Sequence, residues 1–295
     1  MDVEMKIQEP INRVTRKQKL KNYSKHPGSF LLALLTKLAI LLTVLALGFI
    51  LIYILVKGIP NLSTDLFALK YTTENVSMLP AIINTLIITL LSLCIAGPIG
   101  IFSAIYLVEY AKKGNKLVEV VRVTAETLTG IPSIVYGLFG MLFFVTTLKC
   151  GYSILAGALT LSIMVLPVIM RTTEEALLAV PNSFREGSFG LGAGKLRTIF
   201  KIVLPSAVPG ILAGVILAIG RMVGETAALI YTAGTVAEIP SNIMSSGRTL
   251  AIHMYSLSKE GLYTDQAYAT AVVLLIVVVL INMLSNFVAK KFTKK

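Results

Sequence analysis

Apolar residues in this chain gather into long runs separated by polar stretches. A bilayer core about 30 Å thick takes about 20 helical residues, and runs of that order fall at about 30–56, 80–108, 124–148, 153–170, 203–231 and 267–289. The pattern predicts an all-α integral membrane protein with six transmembrane helices. The fourth run is short, and Gly97-Pro98, Gly130-Ile131-Pro132 and Leu166-Pro167 set helix breakers inside or beside the runs. The first run opens near Phe30, is too long for a signal-peptide core and has no small-residue cleavage site behind it, so it is expected to remain as a helix. Residues 1–29 read as a basic tail and 30–295 as the membrane domain, with polar loops at 57–79, 171–202 and 232–266.

Composition excludes a single soluble globule. The chain is 55% hydrophobic and 14% charged, with mean hydropathy +0.81, whereas soluble domains carry about 25% charged residues. A formal charge of +12 would suggest nucleic acid in a soluble protein, but the six runs distribute it otherwise. Placing successive loops on alternate sides puts twenty Lys and Arg residues on one side. These are seven in the tail from Lys6 to Lys25, then Lys112, Lys113, Lys116 and Arg122, then Arg171, Arg185, Lys195, Arg197 and Lys201, and finally Lys290, Lys291, Lys294 and Lys295. The other side holds five, Lys57, Lys70, Lys149, Arg248 and Lys259, with Lys37 and Arg221 left inside runs. The positive-inside rule then puts both termini in the cytoplasm, and the tail serves as a solvated topology determinant. Cys94 and Cys150 lie in or at the end of apolar runs and are expected to be free thiols.

The loop at 171–202 carries a pattern. Thr172 and Thr173 precede Glu174 and Glu175, and Ser183 precedes Glu186 by three residues, which predicts two capped helical stretches. Between Glu186 and Lys195 small residues predominate, Gly187, Ser188, Gly190, Gly192, Ala193 and Gly194, so a tight helix-turn-helix knob is expected, close to another backbone. The spacing of Glu186, Gly187, Ser188, Gly192, Ile202, Leu204 and Pro205 resembles the E-A-A-x3-G-x9-I-x-L-P coupling loop of the transmembrane subunits of type I ABC importers. Gly187 and Ser188 stand where the two Ala would be, and both remain small. The likeness runs from about Leu79 to Ala289. It includes Asn84-Thr85-Leu86, Gly130 through Gly140, Leu166 through Ala176 and Gly220 through Ala227. Within the family these segments are most similar to phosphate-importer permeases of the PstA type. That resemblance implies a prokaryotic plasma (inner) membrane location, a sister permease PstC, a PstB ATPase dimer holding ATP and Mg, and an external phosphate-binding protein PstS.

Arg221 and Glu225 lie inside the fifth run, where a charge at bilayer depth costs roughly 2.5 to 3.5 kcal/mol. At helical spacing Gly214, Leu217, Arg221 and Glu225 share one narrow stripe, with Leu212, Val215, Ile216, Ile219 and Val223 opposite. Two readings are open: a self-neutralised i,i+4 salt bridge, or part of an anion path. A guanidinium suits phosphate because its planar fork bonds two oxygens and keeps its proton. If the span starts near Ser206, Arg221 lies about 22 Å along it, toward the outer half. Ser133, Tyr136 and the Gly130–Pro132 break can line the same path, while Gly137 and Gly140 can equally be helix-packing positions. Arg171 and Lys37 sit near span ends and can snorkel.

No G-x-x-x-x-G-K-[ST] is present, so ATP-driven work needs another subunit. His26 and His253 are isolated, and no metal motif or Ser–His–Asp set can be argued, so the chain is expected not to be an enzyme and to bind no cofactor itself. The alternatives are a permease for another oxyanion such as sulfate or molybdate, and an ATPase-independent secondary transporter or channel.

Overall fold

The computed structural model describes residues 27–112 and 114–293, so the tail up to His26, Lys113, Lys294 and Lys295 lie outside the described residues. The chain divides into two compact units at Ile54 and Leu55. The first holds most of helix α1 (Pro27–Gly58), as far as Ile54, and the sequence of this helix is apolar on every face over most of its length.

The second unit is all-helical among the described residues. Its elements are α2 (Leu79–Ile105), α3 (Lys116–Thr129), α4 (Ser133–Gly140), α5 (Ile154–Leu178), α6 (Asn182–Gly190), α7 (Lys195–Thr198), α8 (Leu204–Val223), α9 (Ala227–Ile230), α10 (Leu250–Glu260) and α11 (Thr264–Thr293). Wider π-helical turns extend α2 through Tyr110 and α4 through Thr147, and a third joins α7 to α8. Among the described residues five helices are long and apolar enough to cross a membrane, and counting the bent pair α3–α4 as one span gives six.

The expected third span is therefore corrected. It is two helices crossing at 104°, because Pro132 has no N–H to donate and drives Ile131 out of helical geometry behind Gly130. The fifth run ends early as well. Helix α8 stops at Val223 with Gly224 behind it, and residues 227–230 form a separate turn. The fourth runs longer than its apolar stretch, since α5 continues through Thr172 and Thr173 to Leu178. No cap forms at Thr172, whose hydroxyl donates back to the Val168 carbonyl at 2.9 Å.

Helices α2, α5 and α8 make the core, with Ile88, Ala96, Leu161, Met164, Val165, Ala218 and Met222 buried among them. Lipid offers no hydrophobic drive between helices, so close approach and hydrogen bonds must hold them. Both are present. A Cβ on Gly100 would meet Ile169 at 2.9 Å, while Ser92 Oγ donates to the Ala158 carbonyl at 3.1 Å and Ser162 Oγ to that of Ser92 at 3.2 Å. At the N-terminal end of α2, Asn84 Nδ2 donates to the carbonyls of Glu238 and Arg248, and Thr85 Oγ1 accepts from Leu250 N–H. These bonds fix the 232–250 segment over the helix ends.

Candidate functional site

Helix α8 joins the two clusters of residues that the sequence singles out. At its N-terminal end lies the α6–α7 hairpin. Ser188, which is buried, shares a 2.8 Å hydrogen bond with Thr198 Oγ1 across the hairpin. Gly192 closes the turn at φ +82°, a conformation costly for any side chain with a Cβ. Glu186 and Gly187 are exposed, Ile202 and Leu204 are half-buried, and Pro205 enters the first turn of α8. The expected Ser183–Glu186 capping box is absent. Helix α6 begins two residues earlier than a Ser183 cap would allow, behind Pro181, so Ser183 is already inside it.

Sequence reasoning missed the anchor of this hairpin. Arg185 puts Nε at 3.1 Å and Nη2 at 2.7 Å from Glu109 Oε1 at the end of α2. It also donates to the carbonyls of Val180 and Leu177. The two side chains are 15% and 9% exposed, so this pair is shielded from screening. On the outer surface of the hairpin, Phe184, Phe189, Leu191 and Leu196 are all exposed, Leu191 at 91%. Exposed large apolar side chains beside exposed glycines suit docking of another protein. The exposed phenylalanines and leucines were legible as apolar residues in a loop; the Glu109 partner, 76 residues away, was not.

At the other end, Arg221 occupies the last turn of α8, where a cation also complements the helix dipole. Ala207, Ile211, Gly214, Ala218 and Met222 form the packed face of α8, whereas Leu217 is 61% exposed. Arg221 falls between them, half-buried at the rim of the packed face. The predicted stripe is thus not a single environment. Glu225 lies beyond the helix end, and among the described residues it makes no ion pair with Arg221. Its buried Oε1 instead accepts from Ala228 N–H at 3.1 Å, starting α9. The i,i+4 salt bridge is overturned, because α8 ends before a further turn could bring the two side chains together.

Tyr136 is 5% exposed and donates its hydroxyl to the Leu128 carbonyl at 2.8 Å, clasping α4 to α3 across the bend. It also lies within electrostatic reach of Arg221. Ser133 stands half-buried in the first turn of α4. The choice at Gly137 falls to packing: a Cβ there would meet Ala228 Cα at 2.9 Å, and one on Gly140 would collide with Thr160. Arg171 pairs with Glu175 at 3.2 Å and Glu126 at 3.5 Å beside an Arg122–Glu174 pair at 2.6 Å, so it belongs to an ion-pair network at the α3–α5 ends. Lys37 is exposed on α1. Among the described residues no group of three His, Cys, Asp or Glu side chains could hold a metal ion.

A family profile described as the binding-protein-dependent transport system inner membrane component matches residues 96–295. The phosphate transport system permease protein PstA of Pasteurella multocida is 36% identical over 269 residues, covering 87% of this chain and 92% of its own. The probable ABC transporter permease protein YqgI of Bacillus subtilis is 33% identical over 261 residues, covering 82% and 88%. Among solved structures, a bacterial alginate ABC transporter in complex with its alginate-bound periplasmic protein aligns over 92% of this chain and 98% of its own, with a TM-score of 0.67 at 17% identity. The MetNI methionine ABC transporter aligns over 73% and 94%, with a TM-score of 0.56 at 21% identity. At those identities the structures speak to the fold alone, which is that of type I ABC importer permeases.

Proposed function

The chain belongs to the binding-protein-dependent transport system inner membrane components, a permease subunit of an ABC importer that acts with a binding protein and an ATPase, and we propose that its cargo is inorganic phosphate. The observation that carries this reading is Arg221, a guanidinium inside an apolar span with no hydrogen bond or ion pair among the described residues, half-exposed on the rim of the α8 packing face. A charge so placed needs a counter-ion that comes and goes. A tetrahedral oxyanion meets that need, since a guanidinium offers it two parallel N–H donors and stays charged at any physiological pH. The PstA relatives support phosphate over other oxyanions. On the same reading the partners are a PstC sister permease, a PstB ATPase dimer holding ATP and Mg, and a PstS binding protein, and both termini are cytoplasmic.

The rest of the mechanism follows from what the side chains do. The exposed apolar hairpin of α6–α7, with Glu186, Gly187, Ser188 and Gly192, docks in a groove of the ATPase. Ile202 lies in the π-helical turn directly behind it, Leu204 and Pro205 start α8, and α8 carries the displacement about 26 Å to Arg221. Tyr136 holds the bend of α3–α4 beside that end, and Ser133 offers a hydroxyl there. Glu225 positions α9 and is not needed as the partner of Arg221.

ATP-dependent uptake of labelled phosphate by the assembled complex in proteoliposomes, with binding protein on the outer side, tests the reading. Uptake should resist excess sulfate and molybdate and vanish in Arg221→Gln while complex assembly is kept. Preferential uptake of sulfate or molybdate would overturn the cargo, and uptake without ATP would overturn the coupling.

A further inference from the structure

The end of α8 remote from the coupling hairpin leads into the 224–263 segment, which contains a second unsatisfied guanidinium. Arg248 is 6% exposed, and its Nε and Nη2 are buried without a hydrogen-bond partner. Among the described residues no carboxylate lies within ion-pair distance of it. Its guanidinium carbon sits 4.6 Å from the centroid of the Tyr71 ring, which stabilises the charge through its π face but accepts none of its N–H bonds in the plane. The backbone is pinned on both sides: Arg248 N–H donates to the Val236 carbonyl at 2.8 Å, and its own carbonyl accepts from Asn84 Nδ2 at 3.2 Å. Buried polar groups in native proteins are almost always partnered, and a buried cation left without an acceptor is the costliest exception.

Arg248 lines a cavity of about 430 Å³ whose wall also includes Thr235, Tyr255, Ser256, Lys259 and Glu260. Lys259 is exposed at its edge and adds a second cation, while the hydroxyl-bearing residues offer neutral donors. Glu260 is the one acidic residue in the wall. A carboxylate at that place accepts from an oxyanion that still carries a proton, and repels one that does not. Ile230, the last residue of α9, forms another part of the wall, so the cavity and Arg221 flank the same short segment, residues 222–230.

We propose that this cavity is a second oxyanion site, separate from Arg221, in which Arg248 and Lys259 bind inorganic phosphate on the face of the permease opposite the coupling hairpin. The identity of the anion rests on the phosphate reading above; the site itself rests on a cavity whose wall carries two cations, Arg248 and Lys259, and three hydroxyl-bearing residues. Two cations and neutral donors bind the anion, and Glu260 selects a protonated phosphate over sulfate.

The test is equilibrium dialysis of labelled phosphate, sulfate and acetate against the assembled permease–ATPase complex without its binding protein. It is run in an Arg221→Gln background so that the first site does not contribute. Phosphate binding should persist there, fall at least tenfold on adding Arg248→Gln, and fall severalfold on adding Lys259→Gln. Lys259 is exposed, so its substitution decides the matter if Arg248→Gln fails to assemble. Unchanged phosphate binding in both variants, no anion binding in the Arg221→Gln complex, or binding of acetate alone would each overturn the site. Binding of sulfate in place of phosphate, lost on Arg248→Gln, would uphold the site and refute phosphate as its ligand.

Discussion

Glu109→Gln keeps the size of the side chain and removes the charge that holds the coupling hairpin to α2. Arg185 would then stand 15% exposed without its counter-charge, keeping as acceptors the Val180 and Leu177 carbonyls, Asn182 Oδ1 and the amide oxygen of the new side chain. Removing one member of a buried pair costs about 3 to 5 kcal/mol, and the acceptors that remain put this case at the lower end, near 3 kcal/mol. At about 1.4 kcal/mol per factor of ten, the seating of α6 should weaken roughly a hundredfold. Amide hydrogen exchange over residues 182–198 should accelerate accordingly, and the purified complex should hydrolyse more ATP per substrate molecule carried. Arg185→Met should give the same phenotype, and the double variant less than the sum of the two, with a coupling energy above about 1 kcal/mol. The loss should persist at high salt, because the pair is shielded, whereas removing Glu175 from the exposed Arg171 should cost about 0.5 kcal/mol or less. Exchange rates and coupling ratio that stay at wild-type values in both single variants would refute the anchor.

Three further outcomes follow. Gly192→Val should strain the turn by about 1 kcal/mol or more and lower transport per ATP without loss of membrane insertion, read as hydrolysis and uptake in the same vesicles. His253, buried in α10 and next to Arg248, has its pKa held down at about 3 by burial first and the Arg248 charge second, partly offset by the Val76 backbone. An unfolded histidine titrates near 6.5, so between these values the unfolded state binds more protons and stability falls as pH drops, by up to about 1.4 kcal/mol per unit. A melting temperature measured from pH 7 to 4 should fall more steeply for the wild type than for His253→Gln. Single cysteines at Ser258 and at Asn182, both exposed, should react with an impermeant thiol reagent from outside and from inside respectively; the reverse result would invert the topology.

The spans were legible because lipid imposes a minimum apolar length, and that requirement leaves a mark whatever the tertiary packing. Their ends were less so. The run 124–148 stays apolar across Gly130-Ile131-Pro132, so hydropathy continues where the helix does not, and α3 also extends back over the charged residues from Lys116. Beyond Val223 the 100° rule kept projecting Glu225 onto the stripe of Arg221, although Gly224 ends the helix between them. Thr172 and Thr173 have the composition of a cap, yet a helix already in progress absorbs them by bonding a threonine hydroxyl to the preceding turn. The coupling spacing was visible from one loop, while the Glu109–Arg185 anchor joins two loops and has no local periodicity. Arg248 was counted only as one of five basic residues on one side; its side chain lies over the Tyr71 ring and its carbonyl on Asn84, which sequence spacing does not place beside it.

The anchors of the hairpin also bear on how a displacement leaves it. Arg185 ties α6 to the end of α2 through Glu109 and to the end of α5 through Leu177, while Ser188 ties it to α7. Helices α2 and α5 are themselves joined by Ser92 and Ser162, and α8 lies against α5 where a Cβ on Gly214 would strike Thr172. A push on the hairpin therefore meets three helices already bound to one another, so it moves them together before any one of them bends. The soft points lie elsewhere. The π-helical turn at 199–203 and Pro209 loosen the first turns of α8, and Pro98 and Pro167 interrupt the hydrogen-bond ladders of α2 and α5. Close packing makes the joined bundle bistable and resistant to gradual deformation. On the coupling role proposed above, a rigid-body rotation of α2, α5 and α8 together would leave these contacts intact while carrying Arg221 with it.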